Sequence, residues 1–409
     1  MQPTPKGNRL HIGIFGRRNV GKSSLLNALV RQDVAIVSAE AGTTTDPVEK
    51  PMELQPLGPV VFIDTAGVDD VGALGALRVE KTRQVLERVD LALLVTDAGP
   101  GEYEAALQAE LERRKIATVL VLNKADLLAG ALPAGPVAVS ARTGAGLAAL
   151  KDAMLVRAPV EGLQPPSLLS DLVGPGQLAV LVVPIDKEAP KGRLILPQVQ
   201  SIRDLLDGDA MCLVVKEREL SAALAKLREP PRLVVTDSQA FLKVAADVPR
   251  GVPLTSFSIL FARQKGDLAT QVRGAMAVDR LRAGDRVLVA EACAHHPIGE
   301  DIGRVKIPRW LTQYTGAKLE FVHRQGHDFS DDLPSFRLVI QCGACTLNRR
   351  EVVNRIRRCA DAGVPVTNYG LVIAYSLGIF ERVLEPFPAA LEAYRAAKAA
   401  SAARGAEAC

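Results

Sequence analysis

Cysteine is scarce in this chain, 6 among 409 residues, too few for a disulfide scaffold. Aromatic residues are only 4% and no sign of charge dominates: 50 Lys and Arg face 46 Asp and Glu, a net of +4. A protein living on nucleic-acid backbones carries a larger or more clustered positive charge, so no nucleic-acid partner is expected. Apolar runs stop at about eight residues, as in Leu178–Ile185, far short of the ~20 that cross a bilayer. Met1–Leu10 holds charges but no apolar h-region, so no secretory signal is expected, and no membrane partner. These absences leave a soluble protein in a reducing, cytoplasmic setting. What is present is 48% hydrophobic residues, enough for several cores, in a length that at roughly 150 residues per domain gives two or three domains.

The apolar runs Arg9–Phe15, Val60–Ile63, Leu91–Thr96, Thr118–Leu122 and Pro136–Val139 read as buried strands, with helical periodicity in Lys22–Val30, Arg78–Arg88 and Glu102–Arg114. Strands alternating with helices predict a doubly wound, mostly parallel α/β sheet over 1–160. The Pro- and Gly-rich stretch 161–176 reads as a linker. Two smaller α/β units follow, 177–263 and 264–409. The second of these is expected to hold strands at Arg286–Ala290, Lys318–Phe321 and Phe336–Ile340, a long loop after the first, and a helix at Asn348–Ala362.

Gly16-Arg17-Arg18-Asn19-Val20-Gly21-Lys22-Ser23 has the G-x-x-x-x-G-K-[ST] spacing after a strand and before a helix, the context that pattern requires. Backbone N–H groups of the loop and of the helix start, from Gly16, Asn19, Val20 and Gly21 through Ser24, suit phosphate oxygens. Lys22 would reach the β/γ-phosphates and the Ser23 hydroxyl would hold Mg²⁺. Asp64-Thr65-Ala66-Gly67 ends another strand: Asp64 suits the metal's water shell and the Gly67 N–H a γ-phosphate. Asn123-Lys124-Ala125-Asp126 ends a third; the Asp126 carboxylate can accept guanine N1–H and N2–H, which adenine lacks. Ser140 and Ala141 end the last strand, where a backbone N–H can serve guanine O6. Four elements in this order select GTP and GDP. Val68 stands where Ras-like enzymes use a water-orienting Gln, so slow intrinsic turnover is expected.

This set resembles the translation-factor-related GTPases, most closely the tRNA-modification and ribosome-assembly branch. That resemblance implies Thr44, within Gly42-Thr43-Thr44-Thr45-Asp46, as the Mg²⁺-binding threonine of the active state, and Asn19 as the P-loop asparagine that holds K⁺.

Three of the six cysteines and four of the five histidines fall between 293 and 345. Cys293-Ala294-His295-His296 follows one expected strand and Cys342-Gly343-Ala344-Cys345 another, and loops at the C-terminal ends of parallel strands converge on a ligand crevice. A thioredoxin-like redox pair leaves Cys293 and His295 unexplained; a Cys₃His zinc site and an iron–sulfur cluster on three thiolates both fit the residue types. Cys-x-His followed about fifty residues later by Cys-x-x-Cys, behind a GTPase of this branch, resembles the family of [FeFe]-hydrogenase maturation GTPases over essentially the whole chain. The resemblance implies a [4Fe-4S] cluster on Cys293, Cys342 and Cys345 in 264–409, and a dimerisation-type unit in 177–263 that makes a homodimer. It also implies a scaffold role between the radical-SAM maturases HydE and HydG and the apo-[FeFe]-hydrogenase. The family's second histidine is Gln341 here, which leaves the fourth ligand open among His295, His296, Glu291 and solvent. A tRNA-modification or ribosome-assembly GTPase with a zinc-binding C-terminal domain is the alternative. Cys212 and Cys359 are expected to pack in cores, Cys409 to fray, His11 to be structural, and His323 and His327 to lie in a solvated loop. The basic run Arg349, Arg350, Arg355, Arg357 and Arg358 is expected as a solvated helix face.

Overall fold

A computed structural model describes residues 4–31, 48–64, 82–99, 101–128, 135–184, 194–292 and 301–407. Two compact units, Met1–Pro166 and Ser167–Cys409, make up the chain. The described residues of the first hold six strands: Leu10–Phe15 (β1), Val48–Leu54 (β2), Gly58–Asp64 (β3), Leu91–Thr96 (β4), Ala117–Leu122 (β5) and Val137–Ala138 (β6). They run in the order β2-β3-β1-β4-β5-β6. All pairings are parallel except β2 with β3. β1 is buried at every residue because helices cover both faces of a parallel sheet. Leu10, Ile12 and Ile14 meet Leu25, Leu26 and Leu29 of the helix Lys22–Arg31 on one side. Phe15 joins Leu107 and Leu111 of the helix Glu102–Arg113 on the other. The doubly wound α/β sheet is therefore as expected. β2 went unread because Pro51 and its charges break the strand pattern, and both are tolerated on a sheet edge.

The second unit holds Leu178–Val182 (β7), Met211–Val215 (β8), Leu233–Thr236 (β9) and Leu254–Ser256 (β10), ordered β10-β9-β7-β8. It also holds Arg286–Glu291 (β11), Glu320–Gln325 (β12), Leu338–Gln341 (β13) and Val366–Asn368 (β14), ordered β12-β11-β13-β14. Both sheets are parallel throughout. Three helices, Phe257–Lys265, Leu268–Ala275 and Tyr369–Ser376, bury Phe261, Val272 and Leu371 in one core with Leu181 and Val235 of the first sheet and Val289 and Ile340 of the second. Their starts are written locally: Ser256, Asp267 and Asn368 each accept the N–H three residues on, as Asn348 does for the helix Arg349–Asp361, filling donors the first turn cannot.

Within the Pro/Gly-rich stretch 161–176, Leu168, Leu169 and Val173 are buried in this core. The Asp204 carboxylate accepts the N–H groups of Leu168, Leu169 and Ser170 at 2.9, 2.8 and 2.7 Å. The long loop expected after β11 contains a helix, Ile307–Thr315, led by a single π turn at Ile302–Lys306. Pro308 in its first turn, where no N–H is needed, reads as a loop in sequence. β10 and β14 are three residues each, too short to show a period. No helix among the described residues is long and apolar enough to cross a membrane.

Candidate functional site

The loop after β1 turns on two glycines with positive φ, Gly16 at 147° and Gly21 at 89°. A Cβ at Gly16 would stand 2.2 Å from the Val95 carbonyl, and one at Gly21 2.3 Å from Nδ2 of Asn123; only glycine satisfies both conditions. Lys22 Nζ donates to the carbonyls of Gly16 and Arg17, both at 2.8 Å, so its charge is aimed into the loop. Asn19 has φ 63°, a left-handed residue at the loop's tip. Ser23 Oγ donates to Asp64 Oδ2 at 2.9 Å, bringing together the two hard oxygens that suit Mg²⁺. Val20 is buried and Ser24 lies on the exposed side of the first helical turn. Thr44 and Gly67 lie outside the described residues.

The guanine elements meet at the C-terminal ends of β5 and β6. Asn123 is fully buried: Nδ2 donates to the Val20 carbonyl at 2.9 Å, and Oδ1 accepts the N–H of Ala141 at 3.1 Å. It thereby ties the phosphate loop to the base loop. Lys124 takes φ 58° and its Nζ donates to Asp97 at 2.6 Å. The Asp126 carboxylate accepts Ser140 Oγ at 2.6 Å and the Arg142 guanidinium at 2.6 and 3.0 Å. The Ser140 hydroxyl, and then Arg142, hold that carboxyl below the usual range, keeping it an acceptor for N–H donors. Two contributors were not read from sequence. Arg142 follows Ser140-Ala141 but belongs to no motif. Glu104, buried 87 residues away on the helix Glu102–Arg113, fixes Arg17 of the phosphate loop at 2.8 Å.

The second cluster lies at the ends of β11 and β13, which pair Ala290 with Gln341. Cys342 follows β13 directly. Its Sγ accepts the N–H of Ala292 at 3.0 Å and of Ala344 at 3.4 Å, and its own N–H goes to Ala290. Ala344 has φ 51°, curling the turn so that its N–H faces back to the sulfur. Cys345, three residues on, is half-buried like Cys342, and Thr346 Oγ1 donates to the Ala292 carbonyl at 3.1 Å. Burial raises both thiols, Cys345 to about 11, with the Ala344 and Ala292 N–H groups pulling Cys342 back. Sulfurs that already accept backbone N–H bonds fit thiolate ligation of a metal centre, since the same bonds stabilise the anion that the metal creates. Cys293, His295 and His296 lie outside the described residues, and no group of three His, Cys, Asp or Glu side chains gathers among the described ones.

Two buried polar side chains end the same two strands, Glu291 on β11 and Gln341 on β13. Both Glu291 oxygens are engaged, Oε1 by the Tyr369 hydroxyl at 3.2 Å and Oε2 by Gln325 Nε2 at 3.1 Å. Gln341 is 3% exposed and its Nε2 has no hydrogen-bond partner among the described residues. Several bland expectations change. His323 is on strand β12, with Nε2 at 3.2 Å from the Gly303 carbonyl; His327 lies on an exposed turn as expected, where it contacts the buried Glu351 at 2.9 Å. The basic run is not one solvated face: Arg355 is buried, paired with Glu351 at 2.8 Å and stacked over Phe329. A cationic side chain there satisfies an anion inside the fold. Cys359 is fully buried and its thiol is pushed up to about 12, while Cys212 is half-buried against the core. His11 is buried with Nδ1 on the Arg9 carbonyl.

Residues 168–266 match the hydrogen maturase F dimerization domain, 269–386 the hydrogen maturase F tetramerization domain, and 11–124 the 50S ribosome-binding GTPase domain. The chain is 39% identical over 127 residues to GTPase Der of Nitratiruptor sp., covering 30% of this chain and 27% of that protein. It is 42% identical over 153 residues to the tRNA modification GTPase MnmE of Bordetella parapertussis, covering 36% and 33%. It thus spans about a third or less of the length of these relatives. Similar solved structures include the G domain of the T. maritima FeoB iron transporter, at 26% identity and TM-score 0.29 over 36% of this chain and 98% of that one. Era of Aquifex aeolicus is another, at 21% and 0.31 over 58% and 99%. The GTPase domain carries GTP, GDP and Mg²⁺ binding and makes the chain a GTP-hydrolysing enzyme. With two consecutive domains of one family filling 168–386 behind it, this chain belongs to the hydrogen maturase F family of GTPases.

Proposed function

We propose that this chain is a GTP-switched scaffold that holds a [4Fe-4S] cluster on Cys293, Cys342 and Cys345 and carries the diiron precursor of the active site to the apo-[FeFe]-hydrogenase. The observation that carries it is the pair of N–H bonds to Cys342 Sγ from Ala292, the residue before Cys293, and from Ala344 inside the Cys-x-x-Cys turn. Two chain segments 50 residues apart are thereby brought to one sulfur. When bound, the cluster supplies an iron with an exchangeable position to which cargo attaches. The protein's share is to hold three thiolates in place, to place Glu291, Gln341 or His295 beside the fourth iron, and to release cargo to a partner.

In the nucleotide unit, Lys22 neutralises phosphate charge, Ser23, Asp64 and Thr44 hold Mg²⁺, and Asp126 selects guanine. Gly67 and Thr44 report the γ-phosphate. Asn19 holds a K⁺ that supplies the charge a missing catalytic side chain would otherwise give. The radical-SAM maturases HydE and HydG would load the scaffold, in the cytoplasm. The chain acts as a homodimer or a larger homo-oligomer. Strand β8 supports this: it is a sheet edge, and it exposes Met211 by 55% and Val214 by 40%, an apolar edge that calls for a partner.

The test is anaerobic reconstitution of wild type and Cys342→Ala with iron and sulfide, followed by metal analysis and EPR of the reduced protein. About four irons per chain with a [4Fe-4S]⁺ signal, lost in the variant, is the expected result. Tightly held zinc and no iron signal would refute the scaffold reading while leaving the GTPase intact. GTP turnover that is the same in K⁺ and in Na⁺ would remove the role given to Asn19.

A further inference from the structure

The Cys-x-x-Cys turn is held by a residue from outside the domain that carries it. Lys265 closes the helix Phe257–Lys265, within the segment matching the dimerization domain, and is 3% exposed. Its ammonium donates to the carbonyls of Ala344 at 3.2 Å, Cys345 at 3.1 Å and Leu347 at 2.6 Å, and stands 5.3 Å over the Phe261 ring. An ammonium has three donors, so three carbonyls fill its capacity and pin the turn at one point. The same helix forms a wall of the site: a Cβ at Gly343 would lie 3.7 Å from Ser258 and 4.0 Å from Phe261.

Its hydrogen bonds are satisfied; its charge is not. Among the described residues no carboxylate forms an ion pair with Lys265, and a cation removed from water without an anion is costly. Arg355, the other cation near Cys342, already has Glu351 at 2.8 Å. A buried cation with no carboxylate partner beside the Cys342–Cys345 turn favours a local anion there, and a cluster on three thiolates is one.

Resting on the cluster reading above, we propose that Lys265 is a positioning residue: it fixes the Cys342–Leu347 turn and balances the charge of the bound cluster. It would favour the reduced state, because each added electron deepens the negative charge beside a fixed cation.

The experiment compares full-length wild type with Lys265→Gln, Lys265→Met and Lys265→Arg, each reconstituted anaerobically, by iron content, far-UV circular dichroism and EPR-monitored redox titration. Gln keeps donors without charge, Arg keeps charge in a different shape, and Met keeps neither. At the wild-type midpoint, the reduced-to-oxidised ratio should fall at least tenfold in Gln and Met, a 59 mV drop for one electron, and stay within threefold in Arg. Loss of iron in folded Gln and Met with retention in Arg supports the same assignment. Unchanged midpoints in loaded Gln and Met overturn it, as does loss of iron in all three folded variants, which would make packing alone responsible. Should Met not fold, the Gln–Arg pair decides by the same criteria. A wild type that takes up no iron refutes the cluster reading itself, a result distinct from unchanged variants of a loaded protein.

Discussion

Asn123 is the residue on which the two halves of the nucleotide site depend together. Removing it in Asn123→Ala deletes the 2.9 Å bond to the Val20 carbonyl and the 3.1 Å bond from the Ala141 N–H. Each neutral hydrogen bond contributes about 1 kcal/mol net, and a partner left buried and unpaired costs more. Two such bonds put the loss at roughly 2–3 kcal/mol, or about 30- to 150-fold in Kd at 1.4 kcal/mol per decade. Neither contact touches a γ-phosphate, so GDP and GTP should weaken equally. Asn123→Asp keeps the acceptor for Ala141 but sets a carboxylate against the Val20 carbonyl, and should bind no better than Ala. Displacement of a fluorescent guanine nucleotide, with thermal unfolding of the nucleotide-free protein, reads both effects. A Kd within threefold of wild type for Asn123→Ala, or wild-type binding by Asn123→Asp, would show that the clasp does not couple the loops.

Ser23→Ala should abolish the Mg²⁺-dependent part of GTP affinity while leaving GDP binding in chelator within about threefold; an equal loss with and without Mg²⁺ would contradict the Ser23–Asp64 assignment. His11 has its pKa lowered, mainly by burial, so the unfolded chain binds the extra proton first and stability is lost as pH falls through about 6.5. His11→Gln should therefore reduce the drop in Tm between pH 7.5 and pH 5.5, and an unchanged drop would refute it. Val214→Glu together with Met211→Lys on β8 should convert the proposed homodimer to monomer in sedimentation at micromolar concentration without changing far-UV circular dichroism; a persisting dimer would place the interface elsewhere.

The phosphate loop was legible because its chemistry dictates backbone geometry: Gly16 and Gly21 sit where no Cβ fits, and Lys22 and Ser23 must follow at once. Strands β1, β4 and β11 were legible because burial on both faces demands unbroken aliphatic runs. What escaped depends on context that no local pattern carries. β2 is an edge strand with Pro51, and the helix Ile307–Thr315 starts with a proline. Arg355 reads as a solvated arginine until Glu351 and Phe329 surround it. Lys265 is one lysine among many; only the folding back of Ala344, Cys345 and Leu347, about 80 residues later, makes it part of a site. The resemblance carried the cysteine pattern further than spacing alone, which left zinc and iron equal.

The pairing of β11 with β13 has a consequence for synthesis on the ribosome. Cys342 cannot meet Ala292 until 50 further residues have been added, and at about 5–20 residues per second that interval is roughly 3–10 seconds. During it Cys293 has left the exit tunnel without the strand that brings its companions. On the cluster reading proposed above, metal loading waits until both segments have been made, and the early thiol spends those seconds open to zinc, oxidants and mixed disulfides. A cell that loads a cluster onto this protein would have to keep its nascent chains reduced and poor in competing metal long before that step.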